Sequence, residues 1–470
     1  MYQYKGIEDT IVAISTAMTP AGIGMVRLSG PAALAIADAM FLAKSGRRPS
    51  ECPSYTVHYG NVVRRRKDEP QSAQVIDEAL LTVMHAPRSY TKENVVEISC
   101  HGGIVPLKAI VQLALDLGAR MAEPGEFTKR AFLNGRIDLT QAEAVLDIIQ
   151  AKTDSFLKVS THQLKGELSA ELESIREELM HIFTHVEAAL NFPEDDVETQ
   201  SREQIGSLLR FSRWRVEQLL ASSEQGRIVR EGIKIVLCGR PNVGKSSMLN
   251  VLLRQPRAIV SEIEGTTRDT IEETAQLGGI PVQLVDTAGM LEPRDPVEEE
   301  AIKRSRMSIR SADLVLLILD GARELSSQDQ ELMTLVGDNP VLIVVNKSDL
   351  PSEITDGEIL AFLPGKRIVR VSALHKMGIE QLREAILGEV LQGRAINTDG
   401  VLVSNLRHVE ALKTALACLE HAFHILQDGH SLEFISEEVK RAVNALDGIT
   451  GRNIDGDLLD QIFSAFCIGK

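Results

Sequence analysis

The sequence predicts a multidomain protein with an α+β N-terminal domain, a helical bundle domain built from two chain segments, and an α/β domain inserted between those segments. One observation is the length, because 470 residues suffice for about three domains. The other is the hydrophobic periodicity, which changes from short strand-like runs to helical spacing, then to alternating strands and helices, and back to helical spacing. These changes predict domain boundaries near residues 125, 228 and 391.

Residues 1–125 form the predicted α+β domain. Its apolar runs are short and are separated by turn residues, which indicates strands, and two longer stretches have helical spacing. The predicted strands are Ile11–Ile14, Gly24–Leu28, Tyr55–Val63, Ala79–Met84 and Val95–Ser99, and the predicted helices are Ala32–Phe41 and Val105–Leu117.

Residues 126–228 and 392–470 form the predicted helical domain. Apolar residues recur at helical spacing in the first segment, with acidic residues between them, as in amphipathic helices that pack into a bundle. The second segment contains the predicted helices Val409–Leu426, Leu432–Leu446 and Leu458–Phe466, and it ends in C-I-G-K.

Residues 229–391 form the predicted inserted domain. Short, wholly apolar runs alternate with helical stretches, which predicts a mostly parallel sheet with helices on both faces. The predicted strands are Ile233–Cys238, Val282–Val285, Leu314–Leu319, Val341–Val345 and Ile368–Val371.

The composition excludes several classes of protein. The net charge of −15 argues against a general nucleic-acid coat, and the aromatic content of 4% argues against base-stacking platforms. Five scattered cysteines without a C-x-x-C pair are typical of a reducing compartment. We recognise no signal peptide, and the apolar runs are too short to cross a bilayer, so we expect a cytoplasmic protein without membrane contact.

A phosphate-binding loop is predicted at Gly239–Ser246, which reads G-R-P-N-V-G-K-S and follows a predicted strand. Its glycines let backbone N–H groups surround phosphates at a helix N-terminus. Lys245 supplies a positive charge to the terminal phosphates, and Ser246 offers a hydroxyl to Mg²⁺.

Three further motifs follow in order, each after a predicted strand. Asp286 begins D-T-A-G and is placed to hold Mg²⁺, and Gly289 can offer its N–H to the γ-phosphate. Asn346 begins N-K-S-D, in which the Asp349 carboxylate can accept two N–H groups of guanine that adenine lacks. Ser372-Ala-Leu fits a loop that supports the base. The inserted domain is therefore predicted to be an α/β P-loop GTPase domain.

A switch segment is predicted at Gly265–Asp269, where Thr266 or Thr267 reaches Mg²⁺ and Thr267 is preferred. Many small GTPases position the attacking water with a glutamine directly after D-x-x-G. Met290 occupies that position here and cannot bind water by a hydrogen bond. Another side chain must do so, and the residues alone leave four candidates open: Glu292, Glu298, Glu299 and Glu300.

The motifs together resemble the MnmE (TrmE) family of tRNA modification GTPases, within the wider TrmE–Era–EngA-like group. The resemblance covers essentially the whole chain. It rests on G-R-P-N-V-G-K-S-S, G-T-T-R-D, D-T-A-G, N-K-S-D and the terminal C-I-G-K, and on segments that begin at Thr19, Tyr90, His101, Pro124 and Asp138.

The resemblance implies a K⁺-stimulated GTPase that hydrolyses GTP to GDP and phosphate. With an FAD flavoprotein partner of the MnmG type, in a heterotetramer, it would help to add a carboxymethylaminomethyl or aminomethyl group to carbon 5 of the wobble uridine of certain tRNAs. It also implies a homodimer through the N-terminal domain and a bound tetrahydrofolate derivative (5-formyl- or methylene-tetrahydrofolate).

The resemblance also assigns roles to residues of this sequence. It implies K⁺ ligands at Asn242, Ser261, Ile263 and Thr266, a water-orienting role for Glu298, and folate contacts at Arg27, Glu97, Arg136 and Lys470. Cys467 is either a reactive thiol or a passive residue of the folate site.

With both kinds of argument combined, the predicted catalytic residues are Glu298, Lys245 and Thr267, and the predicted Mg²⁺ ligands are Ser246, Thr267 and Asp286. The predicted GTP contacts are Asn242, Val243, Gly244, Lys245, Ser246, Ser247, Ser261, Glu262, Ile263, Glu264, Gly265, Thr266, Thr267, Asp286, Thr287, Ala288, Gly289, Asn346, Lys347, Asp349, Ser372, Ala373 and Leu374.

A second function is compatible with the same nucleotide motifs, namely a ribosome-assembly RNA-binding GTPase of the Era or EngA type. Such a protein should carry a small basic module with a G-x-x-G loop beside its GTPase domain. The C-terminal helices of this sequence contain no such loop, which favours tRNA modification.

Overall fold

The structure is a computed structural model that describes residues 8–65, 73–191, 198–253, 272–286, 303, 306–391, 398 and 400–470. The chain divides into two compact units. The first unit contains residues 1–146, 163–213 and 414–470, and the second contains residues 147–162 and 214–413. The predicted domain boundaries at 125, 228 and 391 stay predictions.

The first unit contains a seven-stranded sheet in the order β3-β4-β5-β6-β2-β1-β7. Neighbouring strands are antiparallel except for β1 and β7, which are parallel. The strands are β1 (Ile11–Ile14), β2 (Ala21–Ser29), β3 (Phe41–Ala43), β4 (Thr56–Arg65), β5 (Ala73–Met84), β6 (Val95–Gly102) and β7 (Arg120–Met121).

The helices Ala33–Met40 and Ile104–Asp116 cover one face of this sheet. Their apolar side chains and those of β2, β4, β5 and β6 form one buried core, because alternate strand residues point to the same face. The other face carries Arg27 of β2 and Glu97 of β6, which pair across the two strands. Arg27 and Glu97 therefore lie on the face away from the two helices.

The helices of the first unit come from two distant parts of the chain, as the sequence predicts. The helix Glu167–Asn191 packs along Leu432–Thr450, where Arg176 donates to Asp447 at 2.7 Å and Ser436 donates to Glu187 at 2.6 Å. The other helices that lie wholly in this unit are Glu126–Leu133 and Gly456–Ser464. Four more helices continue from one unit into the other, namely Leu139–Gln150, Asp154–Leu164, Glu198–Ala221 and Leu406–Gln427.

The second unit contains a six-stranded sheet in the order β13-β12-β11-β8-β10-β9. All neighbours are parallel except β10 and β9, so the predicted mostly parallel sheet is confirmed. The strands are β8 (Ile233–Cys238), β9 (Glu272–Leu277), β10 (Ile280–Asp286), β11 (Leu314–Asp320), β12 (Val341–Asn346) and β13 (Arg367–Arg370).

Both faces of this sheet are buried. Ile235 and Leu237 of β8 belong to one core, whereas Val236 and Cys238 belong to another, as expected when helices cover both faces. The helices Lys245–Leu253 and Ile379–Val390 pack into the first core, and Ser327–Val336 and Asp356–Phe362 pack into the second. The helix Ser223–Glu231 also lies in this unit.

The predicted fold class is confirmed, and the differences are local. Phe41, predicted as the end of a helix, begins the short strand β3, and the strands β7 and β9 were not predicted. Within the described ranges, none of the helices combines the length and the apolar character that a bilayer crossing requires.

Candidate functional site

The loop between β8 and the helix Lys245–Leu253 has the geometry of a phosphate-binding loop. Asn242 has φ +65° and Gly244 has φ +100°. A side chain at Gly244 would meet the amide nitrogen of Asn346 at 2.3 Å, so glycine is required there. The loop therefore has a fixed course at the carboxyl end of a buried strand, where ligands bind to open α/β sheets.

Lys245 lies inside this loop. Its ammonium donates to the carbonyl oxygens of Gly239 at 2.8 Å and Arg240 at 2.9 Å, and the side chain is buried. Burial lowers the pKa of Lys245, while the negative charge of Asp286 acts in the opposite direction. A buried ammonium that donates to two neutral carbonyl oxygens attracts an anion strongly.

Asp286 closes β10 beside Ser246, and the hydroxyl of Ser246 forms a hydrogen bond with its carboxylate. Burial raises the pKa of Asp286, and the charge of Lys245 and the Ser246 hydrogen bond partly offset this rise. The Oδ1 atom of Asp286 is buried and has no hydrogen-bond partner among the described residues. A buried carboxylate oxygen beside a hydroxyl fits a hard cation such as Mg²⁺.

Asn346 joins two parts of the site. Its side-chain amide donates to the carbonyl of Val243 at 2.8 Å, and its oxygen accepts from the N–H of Ala373 at 3.0 Å. Asn346 is buried, as are Ser372 and Ala373, whereas Leu374 is 80% exposed. The phosphate loop, N-K-S-D and S-A-L, which are far apart in the sequence, therefore meet at one side chain.

The carboxylate of Asp349 lies at the edge of this assembly. A hydrogen bond from Ser372 lowers the pKa of Asp349, and His375, 3.7 Å away, acts in the same direction. Asp349 is therefore ionised at neutral pH and can accept hydrogen bonds from N–H donors of a base.

Two buried acids, which the sequence analysis did not identify, pair with basic residues inside these motifs. Asp320 at the end of β11 lies 2.6 Å from the ammonium of Lys347. Asp329, in the first turn of the helix Ser327–Val336, accepts from the Arg240 guanidinium at 2.8 Å. Both acids are almost completely buried, at 4% and 1% exposure.

A second cluster lies in the first unit, around Tyr90. The guanidinium groups of Arg136 and Arg27 lie 4.7 and 5.7 Å from the centre of the Tyr90 ring, and Arg27 also lies 5.5 Å from the Phe127 ring. Arg27 donates to Glu97 at 2.8 Å. Two cations, one carboxylate and the Tyr90 ring could together bind a flat, polar and anionic molecule.

The end of the chain packs against the same cluster. Arg27 donates to the Gly469 carbonyl at 3.3 Å, and the Lys470 carbonyl accepts from the Phe127 N–H at 3.2 Å. Gly469 has φ +95°, and a side chain there would meet the carbonyl of Ile14 at 2.4 Å. Cys467 is exposed. The structure thus brings Arg27, Glu97, Arg136 and the main chain of residues 467–470 together.

Comparisons with known proteins agree with this organisation. Residues 10–136 match the family model described as the N-terminus of the GTP-binding protein TrmE, and residues 139–467 match the model of the MnmE helical domain. The chain is 43% identical to the tRNA modification GTPase MnmE of Alkaliphilus metalliredigens, over 99% of this chain and 100% of that protein. It is 44% identical to the MnmE of Bacillus subtilis, over 98% and 100%. The chain belongs to the MnmE family.

A solved structure of the G domain of the T. maritima FeoB iron transporter is 27% identical over 33% of this chain and 98% of that chain, with a TM-score of 0.28. So low a TM-score carries no argument about this chain. Membership of the MnmE family of tRNA modification GTPases confirms the predicted enzyme class, a GTP hydrolase that binds GTP.

Several residues predicted for this MnmE-family site lie outside the described residues. They are Ser261, Glu262, Ile263, Glu264, Gly265, Thr266, Thr267, Thr287, Ala288, Gly289 and Glu298, so their predicted roles stay predictions. The described predicted GTP contacts lie in the phosphate loop and the first turn of the helix that follows it, at the end of β10, or in the two loops joined by Asn346.

Proposed function

We propose that this chain hydrolyses GTP in the second unit, with K⁺ stimulation, to support modification of the wobble uridine of certain tRNAs. The observation that carries the proposal is the link from Asn346 to Val243 and Ala373, because it joins the phosphate-binding, base-reading and base-supporting loops. Full-length similarity to proteins named tRNA modification GTPase MnmE supports the choice of tRNA over ribosome assembly.

In this proposal, the described residues divide the work of nucleotide binding. Lys245 and the loop amides neutralise the phosphates, Ser246 and Asp286 hold Mg²⁺, and Asp349 accepts the guanine N–H groups. The Oδ1 of Asp286, which has no hydrogen-bond partner among the described residues, supports the assignment of Mg²⁺ to this place. Bound Mg²⁺ would supply positive charge where the β-phosphate of the leaving GDP becomes more negative.

The hydrolytic step is assigned to Asn242 of the phosphate loop and to residues outside the described ranges. Thr267 completes the Mg²⁺ ligands, Glu298 orients the attacking water, and K⁺ is bound by Asn242, Ser261, Ile263 and Thr266. Met290 supports the assignment to a glutamate, because a thioether cannot position water in the way that an amide does. K⁺ adds positive charge in the transition state and should therefore raise kcat.

Turnover of GTP should be measured with K⁺ and with Na⁺ at equal ionic strength. We expect faster turnover with K⁺, and equal rates would reject the potassium assignment. Glu298→Ala should lose at least about 100-fold in kcat while binding GTP with nearly unchanged affinity, as expected when a water-positioning group is lost. Glu299→Ala is the matched control and should keep most of its activity.

The cluster around Tyr90 is the proposed site of a tetrahydrofolate derivative. Glu97 can accept N–H groups of a pterin ring, and Arg27, Arg136 and Lys470 can bind carboxylates of its glutamate tail. The two guanidinium groups near the Tyr90 ring support this assignment. Fluorescence titration with 5-formyl-tetrahydrofolate tests it, and Arg136→Met should weaken binding.

A homodimer through the N-terminal domain is also proposed, and the exposed face of the sheet supports it. Val57, Tyr59 and Leu80 are 59%, 50% and 46% exposed, and Tyr59 pairs with Leu80 across β4 and β5. A second copy of the chain would remove this apolar surface from water. Sedimentation of the wild type and of Tyr59→Glu tests this, since the variant should shift toward monomer.

The flavoprotein partner is the remaining part of the proposal. We expect the chain to act with an FAD flavoprotein of the MnmG type in a heterotetramer that adds a carboxymethylaminomethyl or aminomethyl group at carbon 5 of the uridine. Nucleoside analysis of tRNA from a deletion strain tests this directly. Unmodified wobble uridines, restored by the wild-type gene but not by Glu298→Ala, are expected. Normal uridines in the deletion strain would instead favour ribosome assembly.

A further inference from the structure

The carboxylate of Asp320 has no role in the motifs discussed so far, although it lies directly beside them. Asp320 closes β11, one strand away from Asn346, and the two residues are opposite each other in the parallel register of β11 and β12. The carboxyl ends of these strands form the edge at which the nucleotide motifs meet. Asp320 is therefore placed at the ligand-binding edge of the sheet.

Each carboxylate oxygen of Asp320 has its own partner. Its Oδ2 lies 2.6 Å from the ammonium of Lys347, and its Oδ1 accepts the N–H of Ala322 at 3.1 Å. Arg323 is a weaker partner, because its Nε lies 3.9 Å away and its side chain is 72% exposed. Asp320 itself is 4% exposed. A carboxylate so deeply buried requires a cation, and Lys347 supplies it.

Lys347 has an unusual backbone at this point. Its φ is +65°, a left-handed backbone conformation that residues other than glycine seldom adopt. Its flexible side chain would sample many rotamers without a partner, and a ligand would then have to order it on binding. The pair with Asp320 removes that cost in advance, because the Asp320 carboxylate already holds the ammonium.

We propose that Asp320 is a positioning residue for guanine-nucleotide binding, which acts by holding Lys347 at the edge where Asn346 and Asp349 read the base. The proposal rests on the proposed function of this site. It implies that Asp320 contributes to affinity and to the lifetime of the bound state, and that it contributes little to the chemical step.

The test is a double-mutant cycle with GDP and Mg²⁺, read by calorimetry and by the rate of GDP release. Asp320→Asn keeps the size of the side chain and an oxygen for the Ala322 N–H, but it removes the charge. We expect GDP binding about tenfold weaker and release correspondingly faster. At saturating GTP, kcat should stay within about twofold of the wild type, so that KM carries the effect.

The second arm of the cycle is Lys347→Met, which removes the same pair from the other end. If Asp320 acts through Lys347, the double variant binds GDP no more weakly than Lys347→Met alone. Losses that multiply in the double variant would show a structural role for Asp320 and overturn the proposal. If Asp320→Asn does not fold, Lys347→Met alone still tests the proposal. GDP affinity equal to that of the wild type in Lys347→Met would overturn the proposal.

Asp356→Asn is the matched control. Like Asp320, Asp356 pairs with a basic residue of this unit, in this case Arg370 at 2.7 Å, but the Asp356 side chain is 57% exposed. It should bind GDP as the wild type does. A wild-type chain that binds no guanine nucleotide would overturn the proposed function together with this inference. Wild-type binding that Asp320→Asn leaves unchanged would overturn this inference alone.

Discussion

The side-chain amide of Asn346 donates to the carbonyl of Val243 at 2.8 Å, so the loop proposed to read guanine is bonded directly to the phosphate loop. The same side chain accepts from Ala373 at 3.0 Å. Asn346 is thus a structural link as well as a member of N-K-S-D. This double role leads to the first prediction.

Asn346→Ala should lose both nucleotide binding and stability. Two buried partners lose their hydrogen bonds, at a cost of about 1–3 kcal/mol each. GTP affinity should fall at least about 100-fold, measured by calorimetry, and the thermal midpoint should drop. Asn339→Ala is the control, because Asn339 likewise donates to a backbone carbonyl, that of Ile309 at 3.0 Å. It should lose stability but keep GTP affinity, and an equal loss of affinity would contradict this account.

Asp349→Asn should change which base is preferred. The Asp349 carboxylate, whose pKa is lowered by the Ser372 hydrogen bond, is proposed to accept two N–H groups of guanine. An amide can instead donate to the oxygen that xanthine carries in place of the guanine amine. GTP affinity should fall about 100-fold or more, while the affinity for xanthosine triphosphate rises. Competition binding measures both, and unchanged preference for GTP would remove Asp349 from base reading.

Arg240→Met should loosen the phosphate loop. The Arg240 guanidinium lies 2.8 Å from the Asp329 carboxylate, which also caps its helix by accepting from the N–H of Ser326. Without Arg240, a carboxylate that is 1% exposed loses its cation, which should cost about 3 kcal/mol of stability. Urea denaturation measures this loss. Arg323→Met, whose side chain is 72% exposed, should have almost no effect.

Acid should weaken the first unit through Glu126. Burial would raise the pKa of Glu126, but the hydrogen bonds from Arg120, from the Glu123 N–H and from Arg130 outweigh burial, and the pKa lies below 4.5. A carboxyl group with a lowered pKa stabilises the fold fully at pH values well above its ordinary pKa, and this contribution is lost as the pH falls through the lowered pKa.

Glu126→Gln should therefore lower the free energy of unfolding at pH 7 by about 1–3 kcal/mol, which appears as a lower urea midpoint. The difference from the wild type should shrink toward pH 3. Circular dichroism at several pH values follows it. Asp116→Asn, at an exposed helical position, is the control and should match the wild type throughout. A constant difference at all pH values would exclude the ionic explanation.

The sequence predicted the fold class and most of the parallel strands, because wholly apolar runs such as Leu314–Leu319 have few alternatives to a buried strand. The two-residue strand Arg120–Met121 could not be predicted, since so short an element depends on its neighbour and not on its own periodicity. The antiparallel strand Glu272–Leu277 is equally dependent on pairing with β10.

The site was predictable where a motif carries the chemistry, as in the phosphate loop and N-K-S-D. Asp320 and Asp329 were missed because no local pattern marks them, and their importance comes from contacts with Lys347 and Arg240. Asp320 had a usable signal, since it is an acid directly after an apolar strand at the carboxyl edge of a parallel sheet. Tyr90 was marked only by the resemblance of its segment to the family, because its two arginines are distant in sequence.

Calorimetric titration of the purified chain with GTP and with ATP, each with Mg²⁺, tests the central claim most directly. The account predicts saturable GTP binding and ATP binding weaker by a factor of about 100 or more, because adenine leaves the Asp349 carboxylate without its N–H partners. Equal affinity for the two nucleotides, or no binding of either, would contradict it.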